Sequence, residues 1–228
     1  MANKSGNAYA LTLLCPIRQG TPEQCPDGMP EQTYSALIRY QLQQLRVAEE
    51  SPMSKVPNTY LSRLFVLDDV PYQGKPAHLE HLKSNYLVFS SNFYGDLEDY
   101  LNGMWNTVNE ELKAILQYCV GFESVNNAAT FIDYIKACQV TTTFFFNGST
   151  DDPLAEQLKS LYLKQEFSKF AFENQGKSPA DLQAAFEQFV QRTQPANLSS
   201  PTWKPGAYHL ETVVFDSGAK VMASGASK

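Results

Sequence analysis

Three histidines and four cysteines are the scarce near-neutral reactive groups among 228 residues. His78 and His81 flank Leu79-Glu80, so a single helical turn would carry both imidazoles on one face. As a metal pair they need a third ligand, for which Asp68 or Asp69 would serve; the other reading is a solvated loop ahead of a strand. Asp68 and Asp69 together could shift each other's protonation and do acid–base work. At the end of a strand, however, neighbouring side chains point to opposite faces, which favours turn capping. His209 lies in or beside the last expected strand, where it reads either as an axial haem ligand or as a packed or surface histidine. Arg63 stands inside an apolar strand, where a charge is costly unless paired; it reads as the partner of a carboxylate or as a contact to a polar ligand.

The other candidate chemistry is thinner. Cys15, Cys25, Cys119 and Cys138 contain no Cys-x-x-Cys pair, so they lack zinc-site spacing and read as reduced thiols packed like small apolar groups. Cys15 and Cys25 bracket a loop and could meet in an oxidising compartment. Ser90-Ser91-Asn92 and Asn147-Gly148-Ser149 lack the shape of a nucleophile elbow. No dinucleotide-binding or phosphate-binding glycine motif occurs in the chain.

Periodicity sets the elements that must position these groups. Tyr9 to Ile17 alternates, with Tyr9, Leu11, Leu13, Cys15 and Ile17 on one face, and predicts a strand. Gln19 to Pro30 is loop; Glu31 to Glu50 repeats apolar residues at three and four and predicts a helix. Tyr60 to Val70 and Tyr86 to Phe93 predict strands, with a turn over Val70 to Ala77 and a short helical turn over His78 to Lys83 between them. The strongest helix starts at Asp96 and carries one apolar stripe from Leu97 to Cys119, with Gly121 as its expected C-terminal cap. A helix over Asn126 to Cys138 and a strand over Thr141 to Phe146 follow. Two further helices are expected, one after an Asp152 cap and one after Ser178-Pro179. Tyr208 to Phe215 reads as a last strand and 217–228 as a flexible tail.

This order contains a split βαβ unit and predicts an α+β, ferredoxin-like domain over 1–216, an antiparallel sheet with helices packed on one face. The opposite face is then expected to carry Phe65, Leu67, Phe89 and Phe93, too apolar to stay wet. A second subunit, a protein partner or a hydrophobic ligand would cover it. Composition agrees with a surface that expects company: only 18% of residues are charged, while aromatics reach 12%, against roughly 25% charged in ordinary domains. The net charge of -6 argues against nucleic acid, which needs a basic footprint. No apolar run approaches the ~18 residues of a membrane span. The polar start lacks a secretory signal pattern, so a cytoplasmic location is expected.

The strand from Arg63 to Val70 and the segment from Leu82 to Leu101 resemble a group of uncharacterised bacterial proteins. That group is similar in fold to the dimeric α+β barrels and to the ferredoxin-like halves of dye-decolorising peroxidases; by order of elements the resemblance runs over 8–192. It implies a dimeric α+β barrel arrangement and, in part of the superfamily, haem chemistry. The Gly-x-x-Asp-Gly motif of those peroxidases is missing from this chain, and their proximal histidine has no convincing counterpart. Two functional expectations follow. The first is a non-catalytic binding or accessory protein, needing no cofactor. Its sheet would hold a partner, an oxidative, lipid-acting enzyme among the possibilities, through Arg63, Phe65, Leu67, Phe89 and Phe93. The second is a haem-dependent peroxidase or monooxygenase, with His209 or His81 as haem ligand and Arg63 near the distal side.

Overall fold

The computed structural model describes residues 3–23, 25, 32–75 and 80–206. The chain opens with a hairpin of β1 (Lys4–Ser5) and β2 (Ala8–Pro16). Its turn requires Gly6, whose φ is +64° and whose missing Cβ would come within 2.3 Å of an Asp151 carboxylate oxygen. That carboxylate accepts the backbone N–H groups of Asn7 at 2.9 Å and Ala8 at 3.1 Å. After α1 (Tyr34–Gln44), capped by the Thr33 hydroxyl, come β3 (Thr59–Leu67) and β4 (Tyr86–Tyr94).

The strands form one antiparallel sheet in the order β1-β2-β4-β3. β4 lies between β2 and β3, which are joined through α1, so β2, α1 and β3 make the split βαβ unit that the sequence predicts. The architecture is α+β and consistent with a ferredoxin-like fold.

The helical layer follows from caps and stripes. α2 (Leu97–Leu116) begins where the Asp96 carboxylate accepts the N–H of Glu98 at 2.8 Å. It kinks at Val108, where Thr107 and Asn109 turn their side chains onto the carbonyls of Gly103 and Trp105. α3 (Ala128–Cys138) starts with a reciprocal capping box between Asn127 and Thr130. These helices lay Leu101, Met104, Val108, Ile115, Phe131 and Ile135 over one face of the sheet. From the sheet side, β2 contributes Tyr9, Leu11, Leu13 and Cys15, and β4 contributes Leu87, Phe89 and Phe93. Phe93 is wholly buried, stacked between Tyr9 at 5.2 Å and Tyr100 at 3.7 Å between ring centres.

Thr141–Phe146 does not form the strand its composition predicts. The place beside β2 is already taken by three short pieces. Asn3 and Ala10 exchange backbone contact, with Ala10 N–H donating to the Asn3 carbonyl at 2.8 Å. Val140 N–H donates to the Thr12 carbonyl at 2.8 Å, and Val120 N–H to the Pro16 carbonyl at 2.8 Å. Displaced from the sheet, Phe144 stays 82% exposed. Three smaller departures are local. α1 stops at Gln44, short of the predicted Glu50. Gly121, in the left-handed region, opens the 3-10 turn Phe122–Ser124 instead of capping α2, which ends at Gln117. Glu80–Lys83 is not helical. The expected strand over Tyr208 to Phe215, the tail over 217–228, and His78 lie outside the described residues.

Contacts divide the chain after Leu154 into two compact units, where the sequence reading carried one domain to 216. In the second, α4 (Leu154–Glu173) and α5 (Pro179–Thr193) share an aromatic cluster of Phe167, Phe170, Phe186 and Phe189. α5 starts on the Ser178 hydroxyl with Pro179 in its first turn, as predicted. Lys159 is buried, and its ammonium donates to the carbonyls of Thr193 at 2.6 Å and Pro201 at 2.7 Å. Glu166 is held by Arg192 and Lys169.

The two sides of the sheet predict different mutational costs. Phe93→Ala should lower unfolding stability by about 3–5 kcal/mol, whereas Phe65→Ala, on the opposite face, should cost no more than about 1 kcal/mol. Urea denaturation of both variants checks this, and equal losses would contradict the facing assigned to β3 and β4.

Candidate functional site

Pleating sorts the expected sheet residues onto two faces. In register, Leu61 lies opposite Asn92, Arg63 opposite Ser90, Phe65 opposite Val88 and Leu67 opposite Tyr86. These residues share the face away from the core, together with Thr12 and Leu14 of β2. Phe89 and Phe93 point the other way and are buried against the helices. The expected grouping of Arg63, Phe65, Leu67, Phe89 and Phe93 on one apolar face is therefore corrected: side chains alternate along a strand, and the two β4 phenylalanines are core. What remains is a mixed face, polar along Thr12, Ser90, Asn92 and Arg63, and apolar at Leu61, Phe65, Leu67, Leu14, Tyr86 and Val88, the last of them buried.

Leu61 is 69% and Phe65 42% exposed. Between them Arg63 is exposed and makes no ion pair or hydrogen bond among the described residues. The expected carboxylate partner for Arg63 is absent there because β3 is an edge strand whose charge stays in water at no desolvation cost. Leu61, Ser62, Arg63, Ser90 and Asn92 line a shallow cavity of about 280 Å³.

The two long edges of the sheet differ. Three chain segments close the outer edge of β2, whereas among the described residues β3 pairs only with β4. Beyond that ladder, the backbone groups of Ser62 to Leu67 make no hydrogen bond among the described residues. An edge of this kind is a template for another strand.

The histidine leads settle differently. His81 lies in an exposed loop with Nδ1 2.5 Å from the Asp69 carboxylate. Asp69 also accepts the N–H groups of Val70 at 2.8 Å and Leu82 at 2.9 Å. The imidazole contact, then these two amides, pull its carboxyl down to about 2. Asp68 turns instead to Arg39 and to the Asn85 amide, so the adjacent carboxylates diverge and cap separate turns, as the strand-end argument requires. The Asp69 carboxylate takes Nδ1 of this exposed His81, which leaves Nε2 as the ring nitrogen open to a ligand. His209 and His78 lie outside the described residues. No three His, Cys, Asp or Glu side chains converge on a metal-sized site among the described residues.

One convergence escaped the sequence reading. Cys15, facing the helices from β2, meets Cys138 at the end of α3 and has Cys119 nearby. Backbone bridges explain the meeting: Leu13 pairs with Gln139 and Ile17 with Cys119, on either side of Cys15. Tyr134, one turn before Cys138, brings its ring among the same thiols, and its hydroxyl is buried without a well-formed hydrogen bond. All four cysteines are free; Cys25 lies beside Tyr118, and the neighbour Cys15 acquires is Cys138. The only sequence signal was apolar placement of each thiol within its own element.

No protein-family model, curated protein or solved structure matches the chain. Among the described residues, no helix is long and apolar enough to cross a membrane.

The Asp69 geometry predicts a specific titration. Its folded carboxyl is depressed from the ordinary 3.8 to about 2, so its stabilisation is complete above the unfolded value and is lost as pH falls through the folded one. Carbon-detected NMR of the carboxyl should show this low midpoint, and His81→Ala should raise it only part of the way, because the two amide donors remain. A midpoint unmoved by that substitution would show that the imidazole does not hold the carboxylate.

Proposed function

We propose that the protein is a non-catalytic binding protein that takes up an extended, acidic strand of a protein partner along β3. The carrying observation is that, among the described residues, the β3 edge is open and the Arg63 guanidinium is unpaired, set between exposed Leu61 and Phe65. A strand added to that edge gains main-chain hydrogen bonds along its length, and its alternate side chains fall on the same face as these three residues. A carboxylate opposite Arg63 makes a cross-strand ion pair, with apolar residues two positions to either side against Leu61 and Phe65. Ser90 and Asn92 offer further polar contacts behind Arg63.

This reading keeps the accessory role expected from the sequence and relocates it. The polar row through Thr12, Ser90, Asn92 and Arg63 suits a strand carrying a charge better than a purely hydrophobic ligand. The dimeric α+β barrel, in which two open faces close on each other, is the competing arrangement; it would set this row and both Arg63 side chains within one interface.

A charge swap tests the proposal. A synthetic peptide alternating valine around a central glutamate should bind the native protein, as followed by calorimetry. Arg63→Glu should weaken it at least about tenfold, equivalent to about 1.4 kcal/mol, and should create binding to the matching lysine peptide. Binding indifferent to both changes would remove the acidic-strand reading. A native homodimer in light scattering that Arg63→Glu dissociates would assign the edge to a second copy and overturn it as well.

A further inference from the structure

We propose that Cys138 and Cys15 are a peroxide-responsive thiol pair, oxidised by hydrogen peroxide to an intramolecular disulfide that ties the end of α3 to β2. The pair stands apart from the β3 edge, on the helix-covered side of the sheet.

Its geometry is built by the backbone. Gln139 bridges Leu13, and Val140 N–H donates to the Thr12 carbonyl, which sets Cys138 opposite Leu14, one residue from Cys15. The two side chains already interact. Access is unequal: Cys138 is half-buried, whereas Cys15 and Cys119 are wholly buried. A small oxidant therefore meets Cys138 first, and Cys15 waits behind it.

The surroundings divide the roles further. The neighbouring Cys15 thiol, aided by the Tyr134 hydroxyl and opposed by burial, draws the Cys138 thiol down to about 7. The same contact, then burial, pushes Cys15 upward. Cys138 is thus the thiolate that attacks, and Cys15 the thiol that resolves. The groups facing Cys138 are Cys15, Tyr134 and Cys119, the last of them close to Cys15 and Tyr134 as well.

The chemistry balances in two steps. The Cys138 thiolate attacks one peroxide oxygen; the S–O bond forms, the O–O bond breaks, and hydroxide leaves. Cys15 gives its proton to that hydroxide, making water. Its sulfur then attacks the sulfenic sulfur of Cys138, the S–S bond forms, the S–O bond breaks, and the departing hydroxide becomes a second water by taking from solvent the proton that Cys138 released on ionising. Two thiols lose two electrons and one peroxide gains them. A small dithiol reverses the change by thiol–disulfide exchange.

The test uses the full chain carrying Cys25→Ser, treated with a few equivalents of hydrogen peroxide, alkylated and mapped by mass spectrometry. The expected product is a monomer with a Cys15–Cys138 cross-linked peptide and an alkylated Cys119. Cys138→Ser should slow thiol loss at least about tenfold. Cys15→Ala should leave a sulfenic acid on Cys138 that dimedone traps. The native rate should fall as pH drops below about 7, where the Cys138 thiolate is protonated. A cross-link through Cys119, or a Cys138 no faster than a free thiol of ordinary acidity, would overturn the assignment. Should Cys15→Ala not fold, the cross-link map of the native thiols decides the question alone.

Discussion

The stack of Tyr9, Phe93 and Tyr100 holds the first unit together. Phe93 sits on the central strand, Tyr9 on the strand to one side, and Tyr100 on the first turns of α2. One ring thus fixes the sheet to its main helix. The same contact places the Tyr100 hydroxyl beside Ser91 at 2.8 Å and Thr59 at 3.3 Å, which satisfies the buried oxygen while burial raises its pKa. Once Phe93 points inward, the pleat leaves every second side chain of β4 no choice: Phe89 and Leu87 join the core, and Ser90 and Asn92 turn outward.

That alternation gives the outer face its character. Had Phe89 and Phe93 faced outward, the surface would be an oily patch requiring complete cover. With serine and asparagine in their place, one end of it is polar, while Leu14, Val88 and Tyr86 join the apolar residues of β3 towards the other. The asymmetry of the two edges matters as much. β2 is closed by Asn3–Ser5, Gln139–Val140 and Tyr118–Val120, a mosaic standing where the fourth strand of a split βαβ sheet would lie. Among the described residues β3 has no such cover, and the exposed charge of Arg63 sits at its middle.

The mosaic has a second consequence. One of its pieces contains Cys119 and another directly follows Cys138, so closing the β2 edge also brings both thiols up to Cys15. Edge protection and the thiol cluster arise from one set of backbone bridges.

Much of the fold was legible in the residues because it depends on short-range rules. The strand at Ala8–Pro16 shows in its alternation. The starts of α2 and α5 show in Asp96 and in Ser178-Pro179, where a side chain must take the N–H groups that a helix leaves free. Local rules failed where an element's fate hung on distant occupancy. Thr141–Phe146 has a strand's composition, yet the edge it would join is filled by segments far away in sequence. The outward face was misjudged because phenylalanines were counted without their parity in the pleat, which only pairing with β2 and β3 discloses. The sequence by itself thus determined the helices, the long strands and the supply of reactive groups, since these follow from contacts three or four residues apart. The tertiary structure decided which face each strand presents, which edge stays open and which thiols meet. Those outcomes depend on chain segments up to more than a hundred residues apart closing on one another.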